Sequence, residues 1–362
     1  MALPPLGRLS GSELLANARE VRRRTGKSVA AQFLDMARLR LGPQCIQTDE
    51  YYGLRLFDPN MSPDRRAEYM GRWAFERIYR IQDPDEVALG NDKLRTYAHF
   101  RTHDLPFPAV LGVYHPDETF DGAVSLRSAA EVYEWLTSTA PYPLFMKPSR
   151  GDCGWQARLL TAREGEDVRL GDGTLVPIVG LLSGYDFNKV GPLIFQERIV
   201  PHPDLAAMIG DRTATARVTV LNNREDPLIW RASLRMPVGG NMIDTFGAGG
   251  VGNLLARLNR ETGEMEEVIA ELGVNRRTTE VHPDTGKQLR GNLVPDWPEA
   301  AALVIRAART LPGLKINGWD VAFSDRGPLL VEFNPKCALP QHANDRGVAE
   351  PRFLEMYPDG KI

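Results

Sequence analysis

Three oxygen-bearing side chains near the end of the chain carry the first chemical signal. Asp320 lies in the apolar run Gly318-Trp319-Asp320-Val321-Ala322-Phe323, and Glu332 and Asn334 lie two apart in Leu329-Leu330-Val331-Glu332-Phe333-Asn334-Pro335. Between the runs, Ser324-Asp325-Arg326-Gly327-Pro328 is turn-forming, so the pair reads as a hairpin whose first strand Asp320 opens. Residues two apart on a strand leave the same face, so Glu332 and Asn334 point together and the turn returns them towards Asp320. Three convergent oxygen donors suit a hard divalent cation, most naturally Mg²⁺ held partly by substrate phosphates. Polar residues at strand ends facing water would give the same pattern.

A second signal is Leu144-Phe145-Met146-Lys147-Pro148-Ser149-Arg150-Gly151-Asp152-Cys153-Gly154. A lysine closing an apolar strand ahead of a glycine loop can set its ammonium on nucleotide phosphates. Gly151 and Gly154 let backbone N–H groups approach the anion with no Cβ in the way. The Walker pattern is absent, and a hairpin with an exposed Lys147 is the alternative. Cys153 has no histidine near it in sequence and reads as an incidental thiol rather than a nucleophile. The glycine-rich span from Gly239 to Asn253 cannot be core strand and predicts a mobile loop that approaches a ligand closely.

The elements that would position these residues follow from periodicity and caps. Residues 11–41 read as helix, with Leu14, Val21, Phe33 and Met36 recurring at roughly helical spacing. Asp49 to Tyr52 begins a short helix, and Ser62-Pro63-Asp64 caps one expected to run to Tyr79. The first quarter of the chain, 1–90, is therefore predicted to be mainly helical. Asn91-Asp92-Lys93 opens a helix to about His103, ahead of the strand Ala109–Tyr114. Further elements are a helix over 127–139, a strand from Leu193 that breaks at Pro201, a strand Ala216–Leu221 and a helix over 297–310. The turns at Thr262-Gly263 and His282-Pro283-Asp284-Thr285-Gly286 punctuate the stretch between them.

Composition bounds the function. The 362 residues suffice for two or three subdomains, and 43% apolar with 25% charged residues is ordinary for a soluble globular chain. A net charge of -3 gives no reason to expect nucleic acid as partner. Cys45, Cys153 and Cys337 are far apart and form no disulfide framework, which fits a reducing cytoplasm. The first residues do not read as a signal peptide, and no stretch approaches the ~20 apolar residues that span a bilayer. The oligomeric state is left open, a homodimer included.

The order of these parts resembles the ATP-grasp family, whose nucleotide site is closed by an acidic hairpin of the D…E-x-N kind. Asp92-Lys93, Gln196-Glu197-Arg198, Asp244…Gly249-Gly250, His282-Pro283-x-Thr285-Gly286 and Gly318-Trp319-Asp320 are similar to the branch called sugar-transfer-associated ATP-grasp proteins, over roughly residues 20–340. The resemblance implies an α+β fold in which two lobes sandwich ATP, here about 91–200 and 201–345, with 346–362 as a tail. The helical 1–90 region departs from the strand-rich unit that precedes many ATP-grasp ligases. It implies ATP and Mg²⁺, or Mn²⁺ in its place, with Asp320, Glu332 and Asn334 as metal ligands. Lys93, Lys147, Gly151 and Gly154 would hold phosphates. The backbone of Glu197, Arg198, Ile199 and Val200 would meet the adenine edge, and Asp204 the ribose, with His202 a rival for that place. Lys147, Arg217 and Arg235 would be the catalytic cations, Arg217 near the transferred phosphoryl group. Arg235, Asp244, Gly249, Gly250 and His282 would line the acceptor pocket, although Asp244-Thr245 stands where the branch usually has Asp-Asn. The activity implied is carboxylate–amine ligation through an acyl-phosphate, in a secondary-metabolite or polysaccharide pathway. A small-molecule kinase and a non-catalytic nucleotide-binding scaffold remain open beside it.

Overall fold

Ser10 opens the first helix with a capping box: its hydroxyl accepts from Glu13 N–H while the Glu13 carboxylate accepts from Ser10 N–H. This is the start of a computed structural model that describes residues 9–151, 156–222, 227–247, 250–337, 341 and 346–349. The helix predicted over 11–41 is two helices, α1 (Gly11–Thr25) and α2 (Val29–Leu41). Gly26 takes φ 76° and ends the first, and Ser28 caps the second afresh. After α3 (Thr48–Gly53), Ser62 caps α4 (Pro63–Ala67) as expected, but the helix does not reach Tyr79. It breaks where Gly71 presses on the Cys45 carbonyl, which an added Cβ would approach to 2.3 Å. The chain resumes as α5 (Arg72–Tyr79) and α6 (Pro84–Gly90). Tyr51, Tyr52, Leu56, Phe57 and Tyr69 form the core of this helical region.

The helical region is stitched to the rest of the chain through backbone groups. The buried Gln82 amide donates to the carbonyls of Ile316 and Pro335 and accepts from Lys315 N–H. Tyr79 donates its hydroxyl to the Cys337 carbonyl.

Two seven-stranded sheets follow. The first contains β1 (Val110–Tyr114), β2 (Val124–Leu126), β3 (Leu144–Pro148), β4 (Arg158–Glu164), β5 (Asp167–Leu170), β6 (Leu175–Pro177) and β7 (Leu193–Glu197). Its order is β2-β1-β7-β3-β4-β5-β6, and β1–β2 is its one parallel pairing. It is accompanied by α7 (Lys93–Thr102), α8 (Ala129–Ser138) and the short α9 (Ile178–Leu181) and α10 (Phe187–Val190). The second contains β8 (Thr215–Leu221), β9 (Leu228–Met236), β10 (Leu254–Leu258), β11 (Met265–Glu271), β12 (Arg277–Thr279), β13 (Ile316–Ser324) and β14 (Gly327–Asn334). It is antiparallel throughout, in the order β12-β11-β10-β9-β8-β13-β14, with α11 (Pro203–Ile209) before it and α12 (Trp297–Arg309) packed on it.

Period-two alternation decides what the second sheet offers. Ala216, Val218, Ala232, Leu234, Trp319, Val321 and Phe323 enter one core with Val304 and Ala307 of α12 and with Tyr97 and Phe100 of α7. Thr215, Arg217, Ser233, Arg235 and Asp320 occupy the alternate positions and so share the other face. Among the described residues no helix is long and apolar enough to cross a membrane.

Candidate active site

The site grows from the N-terminus of α7. Asp92 caps that helix by accepting from Leu94 N–H at 3.0 Å, and its other oxygen accepts from Arg150 Nε at 2.9 Å. Lys93 N–H donates to the Ser149 carbonyl at 2.9 Å, so the helix start is fixed against the loop that follows β3. Lys93 Nζ donates to the Gly151 carbonyl at 2.7 Å and lies 3.8 Å from Glu332 Oε2. Gly151 has φ 147°, open to glycine and strained for other residues. Lys147 is buried at the end of β3, where its Nζ donates to the Tyr97 hydroxyl at 2.7 Å. Burial pulls the Lys147 ammonium down to about 8, against the opposing pull of Glu332. Gly154, Cys153 and Gly249 lie outside the described residues.

Register sets the acidic side. Asp320 is opposite Glu332 on β14 and opposite Arg217 on β8, and Asn334 is opposite Gly318. Asp320 does not open its strand; it lies in the middle of β13, which begins at Ile316. Arg217 engages both Asp320 oxygens, one through its Nη2 at 2.9 Å. Arg235 Nη2 lies 3.0 Å from Asp320 Oδ2, and Asn334 Nδ2 donates to the same oxygen at 3.4 Å. Gly318 makes room: a Cβ there would come within 2.9 Å of Arg217 Cδ and 2.7 Å of Cys337 Cβ. Burial alone would raise Asp320, but Arg217 and Arg235 hold it well below the ordinary carboxylate range. Burial raises Asp244, which accepts from Thr215 Oγ1 and sits 3.5 Å from Arg235 Nε. Arg217, expected near a transferred phosphoryl group, is thus committed to Asp320 as well.

The donor types are those a hard cation takes: Asp320 and Glu332 are register partners, and Asn334 adds an amide, although its Nδ2 here faces Asp320, whose oxygens also meet Arg217 and Arg235. A cation there would relieve the repulsion between the two carboxylates. Among the described residues no group of three or more His, Cys, Asp and Glu side chains is arranged to hold a metal. Two carboxylates and an amide leave coordination positions for phosphate and water.

The remaining predicted residues spread out. Glu197 accepts from Ala109 N–H at 2.7 Å and from the Arg326 guanidinium, and Arg198 pairs with Asp211. The Ile199 carbonyl accepts from Thr213 Oγ1 at 3.4 Å, and the Val200 carbonyl from Asp325 N–H at 3.0 Å. Residues 197–200, the expected hinge, are therefore clamped to the β13–β14 turn, and their strand ends at Glu197 rather than Val200. Asp204 stands in the first turn of α11 with its side chain 81% exposed. His282, expected in the acceptor pocket, is fully buried. One ring nitrogen contacts the Pro237 carbonyl at 3.1 Å and the other accepts from Asp284 N–H at 3.4 Å, so both are engaged within the turn. None of the described contacts joins Asp204 or His282 to the lysine–carboxylate cluster.

The glycine-rich loop has an organised base. Buried Asn253 donates to the carbonyls of Ile243 and Thr245, each at 2.8 Å, and accepts from Val238 N–H at 3.0 Å. Gly250 N–H donates to the Gly247 carbonyl at 3.0 Å. Met242, near the start of the loop, lies against the turn after β5, where a Cβ on Gly171 would meet its Cε at 2.8 Å. Sequence reasoning missed Tyr97, Thr215 and Asn253. Tyr97 had a signal: it lies four residues after Lys93 and so shares its helix face.

A family model described as sugar-transfer associated ATP-grasp matches residues 74–353. No curated protein matches the chain. Among solved structures it is similar to N5-carboxyaminoimidazole ribonucleotide synthetase from Thermotoga maritima, at 11% identity and a TM-score of 0.35, covering 74% of this chain and 49% of that one. It is also similar to the VanG D-Ala:D-Ser ligase of Enterococcus faecalis (12% identity, TM-score 0.41, 78% and 64% covered). D-alanyl-alanine synthetase A from Vibrio cholerae gives 10% identity and a TM-score of 0.42, with 77% and 62% covered. The chain spans about half the length of the first of these. With TM-scores below 0.5, the assignment does not rest on them. It rests on the family match, which spans most of the chain and includes α7, both sheets and the D…E-x-N hairpin: the chain belongs to the sugar-transfer associated ATP-grasp family and has its α+β fold, preceded by a helical region.

Proposed function

We propose that this chain is an ATP- and Mg²⁺-dependent ligase. In the reaction a substrate carboxylate takes the terminal phosphoryl group of ATP and ADP leaves. An amine then attacks the acyl carbon, phosphate departs, and an amide remains. The observation that carries the reading is the meeting of lysines and oxygen donors from different elements, with Lys93 Nζ 3.8 Å from Glu332 Oε2. Cations beside a carboxylate–amide set are what a nucleotide polyphosphate with its metal requires.

Asp320, Glu332 and Asn334 would hold the cation, which when bound neutralises phosphate charge and orients the terminal phosphoryl group. Lys93 and Lys147 bind phosphate oxygens, and Gly151 lets the loop backbone approach them. The hinge from Glu197 to Val200 meets the adenine edge, with Asp204 towards the ribose. Arg217 and Arg235 neutralise charge on the transferred group from across Asp320. The loop carrying Asp244, Gly249 and Gly250 covers the acceptor and excludes water. Positioning and charge do the work here, so no separate general base is required.

The test is ADP and phosphate release with Mg²⁺ in wild type and Glu332→Gln, supplied with pools of amino acids, amines and sugar acids, with product masses read alongside. Amine-dependent ADP release and a product one water lighter than its summed substrates, both lost in Glu332→Gln, is the expected result. A phosphorylated product without amine dependence would replace the ligase by a kinase.

A further inference from the structure

We propose that Tyr97 is a positioning residue, its hydroxyl fixing the Lys147 ammonium where the two sheets meet. The ligand part rests on the nucleotide reading above; the geometry does not.

Tyr97 is fully buried on α7, one turn after Lys93. Its ring stacks on Phe107, with centroids 5.2 Å apart and planes 11° from parallel, so the hydroxyl has little freedom to move. That hydroxyl has one proton to give. It donates to the Val331 carbonyl at 2.8 Å, with Gln196 Oε1 the longer alternative at 3.4 Å. With the proton spent, only oxygen lone pairs face Lys147, whose Nζ donates at 2.7 Å.

Val331 is itself a consequence of sheet geometry. Register along the hairpin shifts between the pairs Asp320–Glu332 and Val321–Leu330, which leaves Val331 as the extra residue of a bulge. Tyr97 thus joins three parts: the helix that carries Lys93, the strand that carries Lys147, and the bulge beside Glu332. A buried ammonium whose described hydrogen-bond partner is a neutral hydroxyl is held for something else to neutralise. The charged group facing Lys147 is Glu332 on β14, and Tyr97 faces both Glu332 and Lys93 of its own helix. If Tyr97 only filled the core, its hydroxyl would be dispensable to Lys147.

The experiment combines Tyr97→Phe, Lys147→Met and the double variant. MgADP binding is measured by calorimetry, and the Lys147 titration by competitive acetylation read by mass spectrometry. Tyr97→Phe keeps the stacked ring. It is expected to weaken MgADP about tenfold, the worth of one hydrogen bond to a charged group. In the Lys147→Met background the same change should move affinity by less than about twofold, because the two residues act as a unit. The Lys147 midpoint should fall below its value of about 8, since the charged form loses its acceptor. Equal losses in both backgrounds, or an unmoved Lys147 midpoint, would overturn the proposal. Wild type that binds no MgADP would overturn the nucleotide reading, and the Lys147 midpoint would still decide the role of Tyr97.

Discussion

The two cationic sides of the site are built on opposite terms. Arg217 and Arg235 converge on Asp320, and Arg235 also reaches Asp244, so each of these arginines is paired with a carboxylate of its own sheet or loop. On the first sheet and α7, Lys147 meets a neutral phenol, and Lys93 a backbone carbonyl with Glu332 at 3.8 Å. The arginine side has its carboxylate partners within the protein. The lysine side has fewer, and under the proposed reading it is the side whose positive charge a phosphate ligand would meet first. Arg, with a fixed fork that matches a carboxylate, suits the first task, and Lys, a point charge that titrates when buried, suits the second.

Replacing one cation from each side by Met should give opposite results. Arg217→Met leaves the buried Asp320 short of its main partner and is expected to cost about 3–5 kcal/mol of unfolding free energy, measured by urea denaturation. Lys147→Met removes a charge that burial penalises, so stability should hold or rise, while ATP turnover should fall by about 10²–10³. Equal destabilisation by both would erase the distinction.

The second comparison is in pH. Lys147 is pulled down to about 8 in the folded chain from an ordinary 10.5. Between those values the unfolded chain binds more protons, so unfolding free energy should rise with pH, by at most about 1.4 kcal/mol per unit, and Lys147→Met should flatten that rise. Affinity for a phosphate ligand should fall over the same window as the ammonium loses its proton. An unchanged slope in the variant would show that another group titrates there.

The smallest expected effect lies at the hinge. Arg326, more than half exposed, pairs with Glu197, and Arg326→Ala should cost less than about 1 kcal/mol in a thermal melt. A larger loss would mean that the clamp between hinge and hairpin belongs with the buried arginine side.

How much of this was legible depended on whether the signal was local. Asp92 as a cap, the lysine that ends β3 and the carboxylates of the last hairpin could be read because spacing along one element decides them. What could not be read needed register or packing. That Arg217 faces Asp320 follows from how β8 pairs with β13, which neither strand reveals alone. Past the break, Gly71 sits against the distant Cys45 carbonyl, and buried His282 meets a carbonyl 45 positions earlier. Asn253 looks like one more loop residue until its four hydrogen bonds are seen together.

The seat of Met242 on Gly171 has a consequence of its own. It joins a loop of the second sheet to a turn of the first through a thioether, which fits shapes rather than charges. Dispersion contacts carry no Debye length, so ionic strength that loosens the hinge pair leaves this latch untouched. The contact is also forgiving: a Cβ at position 171 would meet the flexible end of a methionine that is partly exposed, so the thioether can swing aside and the two sheets keep a joint that yields without breaking.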